Sequence, residues 1–259
     1  MKIIVCVKQV PDTAAEMTVQ DGSISWGDAS LIINPWDEFA VEAALDLNAE
    51  EGGEVIALGL GREDETEAIK HALAMGADDA VLIADPALEQ VDTLGAARVI
   101  AAALDRIGEV DLVLFGQQSV DSETGLLPGQ VGRLWGHPTV TLVSTFREVD
   151  AGAGTVQVER AMEEADQVVQ TPLPCVISVT KDYGEPRYPS FMGIRKASQA
   201  KYPIWDLAEL DIDLGDVLVQ RLEVSEPPER EVVTEIIAGE TPEEKARVLV
   251  EKMLEEKVL

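Results

Sequence analysis

The side chains able to do chemistry concentrate in one stretch, Asp111-Leu-Val-Leu-Phe-Gly116-Gln117-Gln118-Ser119-Val120-Asp121-Ser122-Glu123-Thr124-Gly125. An apolar run to Phe115 is stopped by Gly116, a polar segment follows, and Leu126 to Trp135 reads as a helix. Strand, glycine, polar loop and helix is the form of a ligand site at the carboxyl end of a parallel strand. A helix start presents free N–H groups and the positive end of a dipole, both suited to phosphate. Gln, Ser, Asp and Thr side chains suit a sugar or a base. The competing reading is an ordinary turn with Ser122 or Thr124 as a helix cap. Elsewhere the material for catalysis is thin. Histidine occurs only as His71 and His137, and cysteine as Cys6 and Cys175. Neither a Ser-His-Asp nor a Cys-His arrangement is expected, nor a His/Cys metal centre. Both cysteines sit in apolar, strand-like runs and are expected to be buried and reduced.

The elements that must position this stretch alternate. Lys2 to Val7 is a near-continuous β-rich run, the pattern of a strand buried on both faces. Pro11 ends it in a loop over Gln9–Thr13. Residues 14–33 form a small excursion with a hairpin signal at Asp21-Gly22. Asn34-Pro35 opens a helix with a cap and an N1 proline. Its Trp36, Phe39, Ala40, Ala43, Ala44 and Leu47 share a face, and Gly52-Gly53 closes it. A strand over Glu54–Leu58 runs into a Gly59-Leu60-Gly61-Arg62 loop. A helix over Glu63–Met75, a strand over Ala80–Ile83, a helix over Leu94–Ile107 capped by Asp92-Thr93, and the strand Asp111–Phe115 follow. This alternation implies right-handed crossovers and a doubly wound parallel sheet with helices on both faces. The strand ends Cys6–Thr13, Gly59–Arg62 and Gly116–Gly125 are expected to converge on one small molecule. Gly59-Leu60-Gly61 alone is too small a fragment of GxGxxG to specify a dinucleotide site.

The 259 residues allow one large domain, or one with a substantial appendage. Hydrophobic residues are 46% and aromatics 4%, so the core must be built from Ala, Val, Leu and Ile. The net charge of −29, from 49 acidic and 20 basic residues, argues against nucleic acid and against an anionic membrane. It fits a self-repelling soluble protein, one that docks on a basic partner, or adaptation to high salt. No window approaches the ~18 apolar residues of a membrane span, and the apolar run at Met1–Lys8 is too short for a signal peptide. A cytoplasmic protein is expected.

After residue 136 strands are expected over Pro138–Glu148, Thr155–Arg160 and Leu173–Thr180, extending the same sheet. Residues 182–205 carry three prolines and two glycines, which preclude one regular element. They carry Tyr183, Tyr188, Phe191, Met192, Tyr202 and Trp205, with Arg187, Arg195, Lys196, Lys201 and the adjacent Lys181. An apolar, basic loop in so acidic a chain suits a docking surface; the alternative is an arm that packs on its own domain. Residues 206–240 are acidic and include Pro227-Pro228. Thr241-Pro242-Glu243-Glu244 starts a final helix. The expected division is a nucleotide-binding domain over 1–205 and a C-terminal arm over 206–259 that packs on a partner subunit.

Five motifs in register resemble the β subunit of electron-transfer flavoproteins. They are Cys6-Val-Lys8-Gln9-Val10; Asn34-Pro35 with Glu38-Phe-Ala-Val-Glu42; Ala72-Leu-Ala-Met-Gly-Ala-Asp78; Gly116-Gln-Gln-Ser-Val-Asp121; and Glu185-Pro-Arg-Tyr-Pro189 leading to Lys196-Ala197. The resemblance spans nearly the whole chain. It implies a doubly wound, mostly parallel sheet of the adenine-nucleotide α-hydrolase-like kind. It also implies a heterodimer with an α subunit that holds most of an electron-carrying FAD, and a buried adenine nucleotide in the β subunit. That nucleotide is AMP in the housekeeping branch and a second FAD in the bifurcating and nitrogen-fixation-like branches.

Carried over by position, the nucleotide touches Cys6, Asn34, Leu60, Gly61, Ser119, Asp121, Ser122, Glu123, Thr124, Gly125, Leu126 and Leu127, with Asp12 and Thr13 facing an isoalloxazine if FAD is bound. Tyr188, Phe191, Met192, Ile194, Arg195 and Lys196 correspond to the loop that anchors on partner dehydrogenases, Phe191 replacing a leucine. The housekeeping branch has Asn-Gln-Thr-Gly where this chain has Gly125-Leu126-Leu127-Pro128, so FAD is expected over AMP. Thr13 replaces an aromatic, and Ala161 stands where an acid is usual. The implied function is electron shuttling from an acyl-CoA dehydrogenase-like donor, or from NADH if the complex bifurcates, to a quinone reductase or ferredoxin-type acceptor. The chain is thus read as an electron carrier, or part of a flavin-based NADH-dependent oxidoreductase. A nucleotide-binding stress-response module without redox role is the alternative from another class. An adenylating enzyme would need a Gly/Ser-rich loop where Gln9-Val-Pro-Asp12 stands.

Overall fold

The computed structural model describes residues 1–20, 22–219, 222–226 and 234–258. Pro227-Pro228, and Asp21 of the hairpin signal, lie outside the described residues. The chain divides into two compact units, Met1–Val224 and Ser225–Leu259, so residues 206–224 go with the first.

The first strand shows why the sheet forms. In β1 (Lys2–Val7), Ile3, Val5 and Val7 enter one core while Ile4 and Cys6 enter another. Both faces are covered, which is what a continuous apolar run requires. Each Leu or Ile fully buried in this way contributes about 1.5–3 kcal/mol. The short β2 (Gln9–Pro11), β3 (Thr18–Gln20), β4 (Ser23–Ser25) and β5 (Leu31–Ile33) follow. Gln9–Pro11 is therefore not only loop: β2 pairs antiparallel with β5, and β3 with β4. Then come α1 (Pro35–Glu51), β6 (Glu54–Gly61), α2 (Glu67–Met75), β7 (Asp79–Ala84), α3 (Thr93–Ile107), β8 (Leu112–Gly116) and α4 (Leu127–Trp135). The second half supplies β9 (Thr139–Asp150), β10 (Thr155–Arg160), β11 (Gln167–Pro172), β12 (Cys175–Val179), α5 (Phe191–Ala197) and β13 (Ile204–Trp205).

Nine strands make one sheet in the order β11-β10-β9-β12-β8-β1-β6-β7-β13. From β9 to β13 every neighbouring pair is parallel; β10 and β11 add an antiparallel extension. α1 and α2 cover one face and α3 and α4 the other. The α/β, mostly parallel architecture is as expected from the alternation. Two local expectations are corrected. Gly59–Gly61 is strand, because β7 pairs with β6 as far as Gly61. α2 begins at Glu67, since residues 63–66 turn first. Residues 182–205 form no single regular element, as expected; within them lie β13 and the short helix α5, whose Ser190 cap accepts a hydrogen bond from Gly193 N–H at 2.9 Å.

In the second unit, α6 (Pro242–Glu255) starts at Thr241, whose hydroxyl accepts from Glu244 N–H at 3.2 Å. Leu249, Val250, Leu254 and Val258 are exposed. No helix among the described residues is long and apolar enough to cross a membrane.

Candidate functional site

From β1 the sheet grows through β6 to β7 in one direction and returns to β8 on the other side of β1. The order reverses between β1 and β8, which is where open α/β sheets bind ligands. The register opens the site. β1 stays paired with β6 up to Val7–Gly59, and β8 with β12 up to Val179–Gly116. Between themselves, β1 and β8 pair only at Ile3–Val5 against Leu112–Leu114. At the amino end the two are pinned: Lys2 N–H donates to Asp111 Oδ2 at 2.7 Å and Asp111 N–H to Lys2 O at 3.0 Å. At the carboxyl end they part.

The start of α1 occupies that gap. Lys8 N–H donates to Asp37 Oδ2 at 2.8 Å, and the Gly116 backbone and the Asn34 side chain also face this carboxylate. Burial pushes the Asp37 carboxyl up to about 7 against those donors and the Lys8 charge. Asn34 does not cap its helix with its side chain. Its amide instead donates to Gln118 O at 2.9 Å and accepts from Val120 N–H at 3.1 Å, holding the loop after β8. Lys8 Nζ meets Asp121 Oδ2 at 2.5 Å, while Asp121 Oδ1 is buried without a partner. Burial works to raise Asp121, but the Lys8 ammonium, helped by the Ser119 hydroxyl and the Asp121 backbone, outweighs it and holds the carboxyl below its usual value. Asp37 and Lys8 are absent from the sequence-derived site. Asp37 gives no signal of its own in the sequence, and Lys8 enters it only within the Cys6–Val10 motif; only their spacing after a strand end and a helix start could have found them.

Of the sequence-derived residues, Cys6, Asn34, Ser119 and Asp121 gather at the parted ends. Burial, and then the nearby Asp37, raise the Cys6 thiol well above its ordinary value. Ser119 and Ser122 hydroxyls are 2.7 Å apart, and Glu123 and Gly125 take positive φ of 49° and 59°. Neither Ser122 nor Thr124 caps α4. Its N-cap is Leu126, without a side-chain bond, so the first-turn N–H groups lack a side-chain acceptor. Ser122, Glu123, Thr124, Gly125 and Leu126 are exposed, and Leu127 is half-buried. Leu60 and Gly61 end β6, on the other flank of β1. Asp12, whose N–H donates to Ser30 O at 2.8 Å, and exposed Thr13 follow β2. Two groups are left open here: the Asp121 Oδ1 acceptor, which can take a hydroxyl or amine proton, and the N–H donors at the uncapped start of α4, which can meet an anion such as phosphate. Among the described residues no cluster of three His, Cys, Asp or Glu is placed to hold a metal.

The expected docking residues form a second surface. Tyr188 is 86% exposed, Phe191 82%, Met192 69% and Ile194 53%, and Arg195 and Lys196 are exposed beside them. Arg187 behaves differently, turning inward onto Glu42 and Asp46. A cavity of about 570 Å³ lies between β5, α1, α2 and α5, bounded by Ile33, Glu38, His71 and Ile194. It adjoins this exposed surface.

An electron transfer flavoprotein domain matches residues 27–210. The chain is 34% identical, over 266 aligned positions covering 100% of both chains, to the caffeyl-CoA reductase-Etf complex subunit CarD of Acetobacterium woodii. It is 35% identical to protein FixA of Azorhizobium caulinodans, over 82% of this chain and 78% of that one. It is 33% identical to the electron transfer flavoprotein subunit beta of Clostridium acetobutylicum, over 84% and 83%. With the motifs in register and the matching sheet, the chain belongs to the electron transfer flavoprotein family, as a homologue of its beta subunits.

Proposed function

We propose that this chain is the β subunit of a heterodimeric electron transfer flavoprotein and that the crevice between β1 and β8 holds FAD rather than AMP. The buried, unpartnered Asp121 Oδ1 beside the uncapped start of α4 is the observation that carries a nucleotide there. Cys6, Asn34, Leu60, Gly61, Ser119 and Asp121 line the adenosine portion, Ser122–Leu127 the phosphates, and Asp12 and Thr13 the ring system. Bound flavin supplies one- and two-electron chemistry; the chain contributes binding and orientation. Lys8 holds Asp121 ionised, so that a carboxylate acceptor meets the ligand. Loss of the Asn-Gln-Thr-Gly run supports FAD over AMP.

The α subunit carries a further FAD, and the C-terminal arm packs on it; exposed Leu249, Val250, Leu254 and Val258 support that contact. Electrons arrive from an acyl-CoA dehydrogenase-like donor, or from NADH if the complex bifurcates, and leave to a quinone reductase or ferredoxin-type acceptor. The CarD relative is named for a caffeyl-CoA reductase complex, which supports an oxidoreductase of CoA thioesters as partner. The two free, buried thiols suit a reducing cytoplasm.

The test is to purify the chain with its α subunit and count flavins by absorbance and mass. Two FAD per heterodimer is expected; one FAD with released AMP overturns the choice of nucleotide. No flavin at all favours the stress-response module. Phe191→Ala should slow electron transfer from the dehydrogenase severalfold, through loss of an 82% exposed anchor, with nucleotide content unchanged. Equal loss of nucleotide would show that the segment serves the fold instead.

A further inference from the structure

The strands beside the crevice lack ladder hydrogen bonds where they part, and Asp37 stands in their place. β1 and β8 stop pairing after Val5–Leu114. Beyond that point the Lys8 N–H from the β1 end donates to Asp37 Oδ2 at 2.8 Å, and the Gly116 backbone from the β8 end faces the same carboxylate. The side chain is 6% exposed. It is also wedged: a Cβ built on Gly116 would lie 2.5 Å from Asp37 Oδ1 and 2.5 Å from the Trp36 carbonyl carbon. We infer that Asp37 is a proton-linked positioning residue, a strut whose carboxylate sets the width of the crevice between β1 and β8, so that proton uptake loosens the nucleotide site. The effect on nucleotide rests on the function proposed above; the strut itself does not.

An ionised carboxylate only accepts, and both strand ends and the Asn34 amide offer it donors. Protonation turns one oxygen into a donor facing backbone N–H groups, and one strand end loses its acceptor. The neighbours do not obscure this titration. On the β1 side the charged group is Lys8, which favours the ionised form, and the titratable one is the Cys6 thiol, held protonated by burial. On the β8 side the neighbour is backbone, and on α1 it is Asn34. Proton uptake centred near neutral pH follows, because burial has moved this carboxyl to about 7.

The experiment has two readouts on the full chain with its partner subunit. In the labelled protein, the amide resonances of Lys8 and Gly116 should titrate together between pH 5.5 and 8.5, and Asp37→Asn should abolish the shared titration. AMP, added as probe to nucleotide-stripped protein, should bind about tenfold more weakly at pH 6 than at pH 8, as the ionised fraction of a carboxyl at about 7 falls from roughly ten-elevenths to roughly one-eleventh. The phosphate titrates near pH 6 in both proteins, so its contribution is read from Asp37→Asn and subtracted. Resonances that do not move together in the wild type overturn the strut, even where the variant fails to fold. Shared titration with a pH-independent AMP affinity overturns the link to the site. Shared titration with no binding of AMP or FAD at either pH upholds the strut and defeats the nucleotide reading instead.

Discussion

Gly116→Ala should cost about 3 kcal/mol of stability and strip the crevice of the nucleotide proposed for it. The added methyl would meet Asp37 Oδ1 at 2.5 Å, the Trp36 carbonyl carbon at 2.5 Å and its oxygen at 2.6 Å. Two of these atoms are backbone at the start of α1, so no rotamer change relieves them. The start of α1 must back away, and it carries Asn34 and Asp37, which hold both strand ends. A loss of that size lowers the melting temperature by roughly 6–12 °C in a domain of this length. The control is Leu104→Ala in α3, a 1% exposed side chain whose truncation costs a similar ~2–5 kcal/mol away from the crevice. Nucleotide content after gel filtration should fall in Gly116→Ala and survive in Leu104→Ala. Wild-type melting and full nucleotide content in Gly116→Ala would mean that helix and strand do not approach this closely.

How much of this was legible beforehand follows from what each element buries. β1, β6, β7 and β8 are covered on both faces, and their apolar runs read as strands in the right order. β11 gave no such signal. Gln167-Val-Val-Gln-Thr-Pro172 lies at the sheet's edge with Val168 50% exposed, so it has no continuous apolar run to mark it. α5 is short and hidden among prolines; Ser190 is its start signal, legible as a cap only once a helix is admitted. The strand-end logic correctly found that the loop after β8 lies beside the end of β1. It missed what holds them, because the holding groups sit on the intervening helix. Asn34 has the residue type and position of a cap, yet its amide spans to Gln118 and Val120, a contact at a sequence separation no local rule reaches. The basic composition of 182–205 leaves open a docking surface or an arm that packs on its own domain, and its members divide: Arg187 is tied to Glu42 and Asp46 of α1, while Arg195 and Lys196 are exposed.

Arg187→Ala should separate the two readings of that segment. Arg187 N–H donates to Glu42 Oε2 at 2.8 Å, Nε to both Glu42 oxygens at 3.0 and 2.9 Å, and Nη2 to Asp46 Oδ1 at 2.6 Å. Tyr183 adds a hydroxyl bond to Asp46 Oδ2 at 3.0 Å and an edge contact with Phe146. Glu42 is 11% exposed and Arg187 42%, so water screens part of the attraction. The expected loss is therefore about 1–2 kcal/mol, between the values for surface and buried pairs. Much of it comes from leaving Glu42 buried without its partner. Arg187→Lys should recover little, since a point charge cannot replace the guanidinium fork. Tyr188 is the next residue and Phe191 starts α5, so a released anchor also unsettles the exposed patch. α5 keeps its own seat, where Gly193 approaches the Ala74 carbonyl of α2 too closely for any Cβ. Electron transfer with the dehydrogenase should thus weaken through a severalfold higher apparent KM, with nucleotide content unchanged. Phe191→Ala should slow transfer at an unchanged melting temperature, and Arg187→Ala should change both. If Arg187→Ala melts early yet transfers electrons with wild-type kinetics, Arg187 serves the fold alone and the patch is positioned by α5 without it.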